Sequence, residues 1–190
     1  MRARGRGTGP QRVFALLLSL AVGFGLWLAP TNGATPAVTT LQSSAAFGEL
    51  TALENLLVVT TNDYAVARAR AEELLAFVKL TGLAGEFAGN LSYGQQKLVE
   101  FVRVLMTDPE LILLDETAAG VNRTLLNDLL EAVRTLRDRG KTVLLVEHDM
   151  KMVMGLCETV FVLDHGEKLA EGPPGLIQTD ERVIEAYFGR

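Results

Sequence analysis

The chain has 190 residues, of which 48% are hydrophobic and 22% are charged, a balance typical of one soluble globular domain with a sizeable core. Its formal net charge is -5, but residues 1–40 hold four arginines and no acid, so the remaining 150 residues carry -9. This acidic body argues against nucleic acid as the main partner. The single cysteine, Cys157, excludes an internal disulfide and a cysteine-based metal site, and its apolar neighbours predict a buried thiol.

An uncharged run of seventeen residues, 13–29, follows the arginine-rich start. Its length fits either the core of a signal peptide or a marginal membrane span, and the small residues in TNGATPA could form a cleavage site. If the run inserted as an anchor, the arginines would remain in the cytoplasm and the rest of the chain would face outward. A third explanation is that a misplaced start, an out-of-frame reading or a fusion remnant produced the run.

From about residue 41, helical and strand patterns alternate. Thr51 and Glu54 have the spacing of a capping box, and the apolar residues from Leu125 to Leu136 lie on one face of a helix that ends at Gly140. We predict further helices at residues 64–80, 95–106, 150–156 and 180–188, and strands in LILLD, TVLLVEH, VFVLD and KLAEG. This alternation predicts a mostly parallel sheet covered on both faces, which is a three-layer α/β fold.

Two carboxylates, Asp115 and Glu116, end the apolar run LILLDE. Open α/β sheets bind their ligands at the carboxyl ends of the strands. In enzymes that act on nucleoside triphosphates, an aspartate at this position holds Mg²⁺ and a neighbouring acid polarises the attacking water. A strand end followed by a helix cap would give the same pattern without any chemistry.

The stretch LSYGQQK, residues 91–97, combines a helix-capping serine with a glycine. Ser92 is suited to cap the helix that follows, and Gly94 allows its backbone to approach a ligand closely. The free amides of a helix start, together with a hydroxyl, form an anion site. An ordinary capped helix explains the same residues without a ligand.

His148 stands just beyond the predicted strand TVLLV, where its side chain could reach a terminal phosphate. A lone histidine in that place is more often structural or exposed than catalytic. The order of the motifs is more specific than any one of them: LSxGQ, then an apolar strand with DE, then AAGxN, then a strand followed by histidine.

This order resembles the ATP-binding cassette (ABC) ATPases, from about residue 39 to residue 189. The resemblance implies a partial cassette, which is a P-loop NTPase-like α/β fold with a helical signature region. It is closest to the subunits that serve branched-chain amino acid importers. The stretches that suggest this subgroup are FGELTALENLLVV, LLDETAAGVN, LLVEHDMKMVMGLC and GEKLAEGPPGLIQTDERVIEAYFG.

The resemblance implies a role for each matching residue. Ser92, Gly94 and Gln95 belong to the signature motif that binds ATP, with Tyr93 in place of the commoner glycine. Asp115 matches the aspartate associated with Mg²⁺, Glu116 the catalytic base, and His148 the switch histidine that touches the γ-phosphate. Residues 119–122 match a dimer-contact loop, and Gln42 matches the glutamine that couples to the permease. Thr117 stands where the family usually has proline.

The family's phosphate-binding pattern, G-x-x-x-x-G-K-[ST], has no match in these residues. The sequence Gly140-Lys141-Thr142 contains its ending, but Thr135 occupies the place of the required earlier glycine. It also follows a helix and opens a strand, which reverses the order that the loop needs. We therefore expect residues 1–38 to be an atypical leader outside the cassette and residues 39–190 to be an amino-terminally truncated cassette.

The expected function is ATP hydrolysis that energises an ABC importer, with ATP and Mg²⁺ as cofactors and no nucleic acid. Two cassettes of the family pair head to tail, so the expected partners are a second cassette in a homo- or heterodimer, permease subunits, and indirectly a periplasmic binding protein. The location implied is peripheral, at the cytoplasmic face of the inner membrane. Export would separate an ATPase from its ATP, so for the run 13–29 we favour the misplaced start over an anchor or a signal peptide.

Two alternatives remain open for the function. The chain could be a non-hydrolysing partner that only dimerises through its signature face, or an inactive remnant that does not fold stably. Binding of Mg-ATP by the isolated chain would favour the enzyme, and a cooperative melting transition would argue against the unstable remnant.

Overall fold

The computed structural model describes residues 13–19, 38–41, 46–115 and 122–188, with 13–19 and 38–41 described by their backbone. These residues form a mixed α/β arrangement around one six-stranded sheet. The strands are β1 (Val13–Ser19), β2 (Val38–Leu41), β3 (Leu111–Asp115), β4 (Thr142–Val146), β5 (Thr159–Asp164) and β6 (Glu167–Gly172). The spatial order is β2-β3-β4-β1-β5-β6, in which β1 to β5 pair in parallel and β6 pairs antiparallel to β5. The predicted α/β fold with a mostly parallel sheet is confirmed.

The expectation that the whole of residues 1–38 lies outside the fold is wrong for one stretch. Val13–Ser19, the start of the apolar run 13–29, forms a strand between β4 and β5. An apolar run without alternation is typical of a parallel strand covered on both faces, and run length alone does not distinguish such a strand from a membrane segment. The rest of that run, 20–29, lies outside the described residues, and a domain boundary at residue 38 stays a prediction.

Seven α-helices accompany the sheet within the described part of the chain. They are α1 (Ala52–Leu57), α2 (Tyr64–Phe77), α3 (Tyr93–Leu105), α4 (Arg123–Asp138), α5 (Met150–Leu156), α6 (Pro174–Ile177) and α7 (Glu181–Phe188). The sequence placed five of these within a few residues and the start of α1 at the correct cap, but it missed the short α6. Pro174 opens α6, which fits the preference for proline in the first turn of a helix.

The predicted start signal of α1 and the predicted end signal of α4 both act as expected. Thr51 caps α1 in a complete capping box with Glu54, whose carboxylate accepts the amide of Thr51 at 2.8 Å. Just after α4, Gly140 has a φ of 91°, and its amide donates to the carbonyl of Arg137 at 2.8 Å. Glycine adopts this left-handed conformation without the steric cost that a side chain adds, so α4 ends there.

One hydrophobic core joins the helices to the sheet. Its fully buried side chains come from both kinds of element, including Leu56, Phe101, Ile112, Leu114 and Leu145. Cys157 is part of the core, as predicted, and its burial raises the pKa of the thiol to about 12. The described helices include none that is both long enough and apolar enough to cross a bilayer.

Three polar side chains are buried between α1 and α3, and the sequence analysis did not identify them. Asn55 is fully buried, and its side-chain oxygen accepts the amide of Phe47 at 2.8 Å while its amide group donates to nearby backbone carbonyls. The guanidinium of Arg103 approaches the same oxygen at 3.4 Å, and burial lowers its pKa although the charge of Glu100 partly opposes that shift. These contacts fix the loop 46–51 against the first turns of α1 and the middle of α3.

Candidate functional site

The start of α3 displays Ser92 and Gln95 as a second complete capping box. The hydroxyl oxygen of Ser92 accepts the amide of Gln95 at 3.4 Å, and the side-chain oxygen of Gln95 accepts the amide of Ser92 at 2.9 Å. Ser92 is exposed, so its hydroxyl proton can be donated to an external oxygen. The amides of Tyr93 and Gly94 make no hydrogen bond within the described residues, as expected for the first turn of a helix.

Contacts within the chain hold this helix start in place. The side-chain amide of Gln96 donates to the carbonyls of Ala88 and Leu91, each at 3.0 Å. One turn further on, the ammonium group of Lys97 lies 2.8 Å from the buried carboxylate of Glu100 and 5.5 Å from the ring centroid of Tyr93. Contacts within the chain therefore define the geometry of this helix start.

Gly94 is buried, and its surroundings show why a glycine stands there. A methyl group added at Gly94 would collide with the side chain of Leu125 in α4. The sequence analysis assigned the glycine to close approach of a ligand, but the described contacts give it a packing role as well. Leu125 carried no signal of its own in the sequence, since it is one of several leucines on the apolar face of α4.

The carboxyl ends of β3 and β4 bring Asp115 and His148 to the same edge of the sheet. Asp115 ends β3 and pairs with Val146, the last residue of β4, so His148 follows two residues beyond the partner of Asp115. Leu16 of β1 pairs with Val146 from the other side, which places the end of β1 at this edge too. Both Asp115 and His148 are exposed. We call this edge, with these two side chains, the strand edge.

A buried acid that the sequence analysis missed lies beside His148. Glu147 follows β4 directly and is only 3% exposed. Glutamate side chains are almost never fully buried unless they are paired, and Glu147 does interact with another group. Glu147 precedes the predicted switch histidine in the chain, and the run LLVEH drew attention only to the histidine.

Gly140-Lys141-Thr142 lies at the opposite edge of the sheet from Asp115. The ammonium group of Lys141 lies 2.8 Å from the carboxylate of Asp108, and this hydrogen bond lowers the pKa of Asp108. Thr142 opens β4, with its amide donating to the carbonyl of Glu110 at 2.9 Å. These contacts agree with the sequence-based rejection of this stretch as a phosphate loop.

Several predicted site residues fall outside the described ranges. These are Gln42, Glu116 and residues 119–121, and the roles that the resemblance gives them stay predictions. Asn122, the last residue of the predicted dimer-contact loop, caps α4 by accepting the amide of Leu125 at 3.0 Å.

The strand edge has one feature suited to Mg²⁺, the exposed carboxylate of Asp115. Protein sites for this ion commonly use one or two carboxylates together with phosphate oxygens of the substrate. Within the described ranges no group of three or more histidine, cysteine, aspartate or glutamate side chains could form a complete metal cage. A carboxylate is a ligand of the type that Mg²⁺ accepts, and the metal-binding role of Asp115 stays a prediction.

Comparison with protein families gives two matches that lie in different parts of the chain. The family described as ABC transporter matches residues 34–119, which include α3, β3 and both predicted acids. The family described as branched-chain amino acid ATP-binding cassette transporter matches residues 167–190, from β6 through α7. The second match covers the tail that had suggested the subgroup.

Curated relatives match over a long part of the chain. The high-affinity branched-chain amino acid transport ATP-binding protein BraF of Pseudomonas aeruginosa is 40% identical over 171 residues, covering 80% of this chain and 67% of the relative. The protein LivG of Escherichia coli, with the same description, is 37% identical with the same coverage. The chain thus spans about two thirds of the length of these relatives.

Solved structures similar to this chain are nucleotide-binding cassettes. An ATP-binding cassette of an ABC transporter, MJ1267, superposes with a TM-score of 0.71 at 31% identity, covering 80% of this chain and 68% of that one. A nucleotide-free ATP-binding cassette from an ABC transporter superposes with a TM-score of 0.76 at 27% identity, covering 95% and 89%.

Proposed function

Because this chain belongs to the ABC transporter ATP-binding family, we propose that it is an energy-coupling ATP-binding subunit of an importer for branched-chain amino acids. The names of BraF and LivG and the family match over residues 167–190 support this substrate class. The chain would act at the cytoplasmic face of the membrane. A periplasmic binding protein would deliver the substrate to the permease without touching the chain.

The observation that carries the proposal is the helix start at Ser92, which a complete capping box defines. Its exposed hydroxyl and the amides of Tyr93 and Gly94 point to an anion, because the start of a helix carries partial positive charge and unpaired N–H groups. Gln95 contributes by holding the amide of Ser92 at 2.9 Å, so the hydroxyl keeps its place. The group recognised is the terminal phosphate of ATP.

The ATP that this helix start binds belongs to a partner cassette. The printed chain contains no match to the phosphate loop, whose amides and lysine hold the nucleotide in the family's pattern. In a head-to-tail pair, Ser92 would close over ATP on the partner's loop. Ser92 would therefore serve a nucleotide that the phosphate loop of the other cassette holds.

The strand edge supplies the groups for a nucleotide on this chain's own side of the pair. Asp115 would hold Mg²⁺, which when bound neutralises charge on the phosphates. Glu116 would take a proton from the attacking water, and His148 would donate a hydrogen bond to the terminal phosphate. Gln42 would link this side to the permease.

The exposed aromatic side chains of two neighbouring loops offer a surface for the permease. Phe47 and Phe87 are 53% and 51% exposed, and their loops touch through a bridge between Thr51 and Phe87 and a close approach of Gly48 to Gly89. Aromatic side chains exposed together are typical of protein-binding surfaces. We assign this surface to a permease subunit because the loop also follows the predicted coupling residue Gln42.

The test is ATP turnover in a mixture with a complete relative such as BraF, whose own signature serine has been replaced by alanine. That relative alone lacks a working signature, so turnover in the mixture requires Ser92 of this chain. We expect turnover to rise with added chain until one chain is present for each relative. A mixture that stays at the level of the altered relative alone would contradict the proposal.

A second candidate function uses the same capped helix start at Ser92: a dimerisation partner that closes on ATP without permitting hydrolysis. In that case the chain would bind the complete relative in the presence of ATP but would lower its turnover. Binding measured by analytical ultracentrifugation beside the turnover assay distinguishes the two. Tight binding of Mg-ATP by the isolated chain would favour the hydrolysing subunit over the dimerisation partner, since it would place a nucleotide on this chain's own side of the pair.

A further inference from the structure

We propose that Leu125, on α4, is a positioning residue for the ATP-binding start of α3. This inference rests on the proposed function of Ser92 and extends it to a residue that no motif contains. Its basis is the contact between Gly94 and the side chain of Leu125.

The side chain of Leu125 fills the space that a side chain at position 94 would occupy. Gly94 is buried, and a Cβ built on it would collide with Cδ1 of Leu125 and lie 3.6 Å from the Cβ and Cγ of the same leucine. Because glycine has no side chain, Leu125 packs directly against the backbone of the first turn of α3. The same turn carries the amides of Tyr93 and Gly94, so movement of Leu125 moves the groups that face the phosphate.

Leu125 is itself fixed by the cap of α4. Its amide donates to the side-chain oxygen of Asn122 at 3.0 Å, and Asn122 is the last residue of the predicted dimer-contact loop. The side chain of Leu125 therefore connects the start of α4, which Asn122 caps, to the start of α3, which Ser92 caps. Asn122 and Leu125 therefore connect the last residue of the predicted loop to the first turn of α3, which carries the amides of Tyr93 and Gly94.

Contacts within α3 do not replace this one. The capping box fixes Ser92 relative to Gln95, and Gln96 ties the helix to the carbonyls of Ala88 and Leu91, all within residues 88–96. Leu125 joins that segment to α4, which follows β3 along the chain. Leu125 thereby adds a contact to α4 beside the backbone bonds that hold Ala88 and Gly89 to the loop at Leu50 and Gly48.

The first test measures hydrogen exchange in the full-length chain alone. In Leu125→Ala, we expect the amides of Gln95 and Gln96 to exchange at least about tenfold faster, since the first turn loses its outside support. Leu126→Ala is the matched control, because Leu126 is also half-buried, packs against the core and lies on the same helix. If both variants speed these two amides equally, Leu125 has no special role and the proposal is overturned.

The second test asks for rescue between the two contacting residues. Gly94→Ala should lower turnover in the mixture with the altered relative by about a hundredfold, because small displacements of positioning groups have effects of that size. The added methyl collides with Leu125, so Gly94→Ala combined with Leu125→Ala should recover part of the loss. Equal loss in the single and the double variant would overturn the proposal.

The third test separates positioning from stability. Leu125→Ala should raise the ATP concentration needed for half-maximal turnover severalfold, while Leu126→Ala should leave it unchanged at a comparable melting temperature. Leu125→Met, which keeps the volume, should restore the value of the parent chain. If the parent chain gives no turnover, the proposed function fails, and the hydrogen-exchange comparison still decides the role of Leu125.

Discussion

At the start of α3, Ser92 and Gln95 hold each other through their backbone amides, and Gln96, Lys97 and Gly94 are each held by contacts within the chain. At the strand edge, Asp115 and His148 are exposed on the ends of neighbouring strands, and their arrangement follows from strand register. Capping side chains define the first region, whereas strand register sets where Asp115 and His148 lie along the second. This difference indicates that substitutions of capping side chains disturb the first region, whereas the position of the second depends on the pairing of β3 with β4.

Turnover in the mixture with the altered relative tests most directly whether the start of α3 and the strand edge serve different nucleotides. Ser92→Asn keeps a capping oxygen but removes the hydroxyl, so we expect turnover to fall by roughly a hundredfold or more while the melting temperature stays nearly constant. His148→Ala and Asp115→Asn should leave this turnover unchanged, because they face the other nucleotide. Equal losses at Ser92 and His148 would show that both regions serve one nucleotide.

A second variant tests whether side chains really organise the region around α3. Glu100 is 3% exposed, lies 2.8 Å from the ammonium of Lys97 and accepts the amide of Ala46 at 3.3 Å. Glu100→Ala leaves Lys97 and the buried Arg103 without this negative charge, so we expect the free energy of unfolding to fall by about 3 kcal/mol.

Urea denaturation measures this loss. Glu72→Ala is the control, since Glu72 forms an exposed ion pair with Arg68 on the surface of α2 and its removal should leave the midpoint nearly unchanged. A midpoint for Glu100→Ala that matches the control would mean that packing alone holds the region together.

Glycine substitutions test the backbone that fixes the strands. Gly140, between α4 and β4, has a φ of 91°, so Gly140→Ala should lower the free energy of unfolding by about 1.5 kcal/mol. Gly155 lies within α5, where an added Cβ meets no atom within 4 Å, so Gly155→Ala should raise the free energy of unfolding. Thermal melting of both variants checks the pair, and a loss at Gly155 would contradict the account.

The smallest effect concerns Cys157, in the core before β5. Its folded pKa is raised to about 12 from 9.0, so its contribution to stability is complete below pH 9 and is lost as pH rises toward 12. We expect about 1 kcal/mol to be lost by pH 10 through this group, and Cys157→Ala should lack that part of the pH dependence.

Burial also raises the pKa of the Tyr187 hydroxyl to about 12, so this group lowers stability at high pH in the same way. Tyr187 is present in both the parent chain and Cys157→Ala. Subtracting the two pH profiles therefore isolates the thiol. A folded chain that reacts with a thiol reagent at pH 8 as fast as the unfolded chain would show that the sulfur is accessible.

Most helices and four of the strands could be predicted because their signals are local. A capping box requires only Thr51 and Glu54, and a helix end requires only a glycine such as Gly140. The place of Val13–Ser19 could not be predicted in this way, since an apolar run has the same composition whether it pairs with β4 and β5 or enters a membrane. The buried polar side chains Asn55 and Arg103 were missed for a related reason: their partners are far away in sequence or lie in a loop.

The sequence by itself determined the order of the motifs, the caps of α1 and α3, and hence the family to which the chain belongs. The tertiary structure decided which of those residues meet: Asp115 with the end of β4, Arg103 with Asn55, and Gly94 with Leu125. The physical reason is that caps and periodicities depend on neighbours within one or two turns. Register between strands and packing between helices depend on residues tens of positions apart, and any apolar side chain of suitable size satisfies the local pattern equally well.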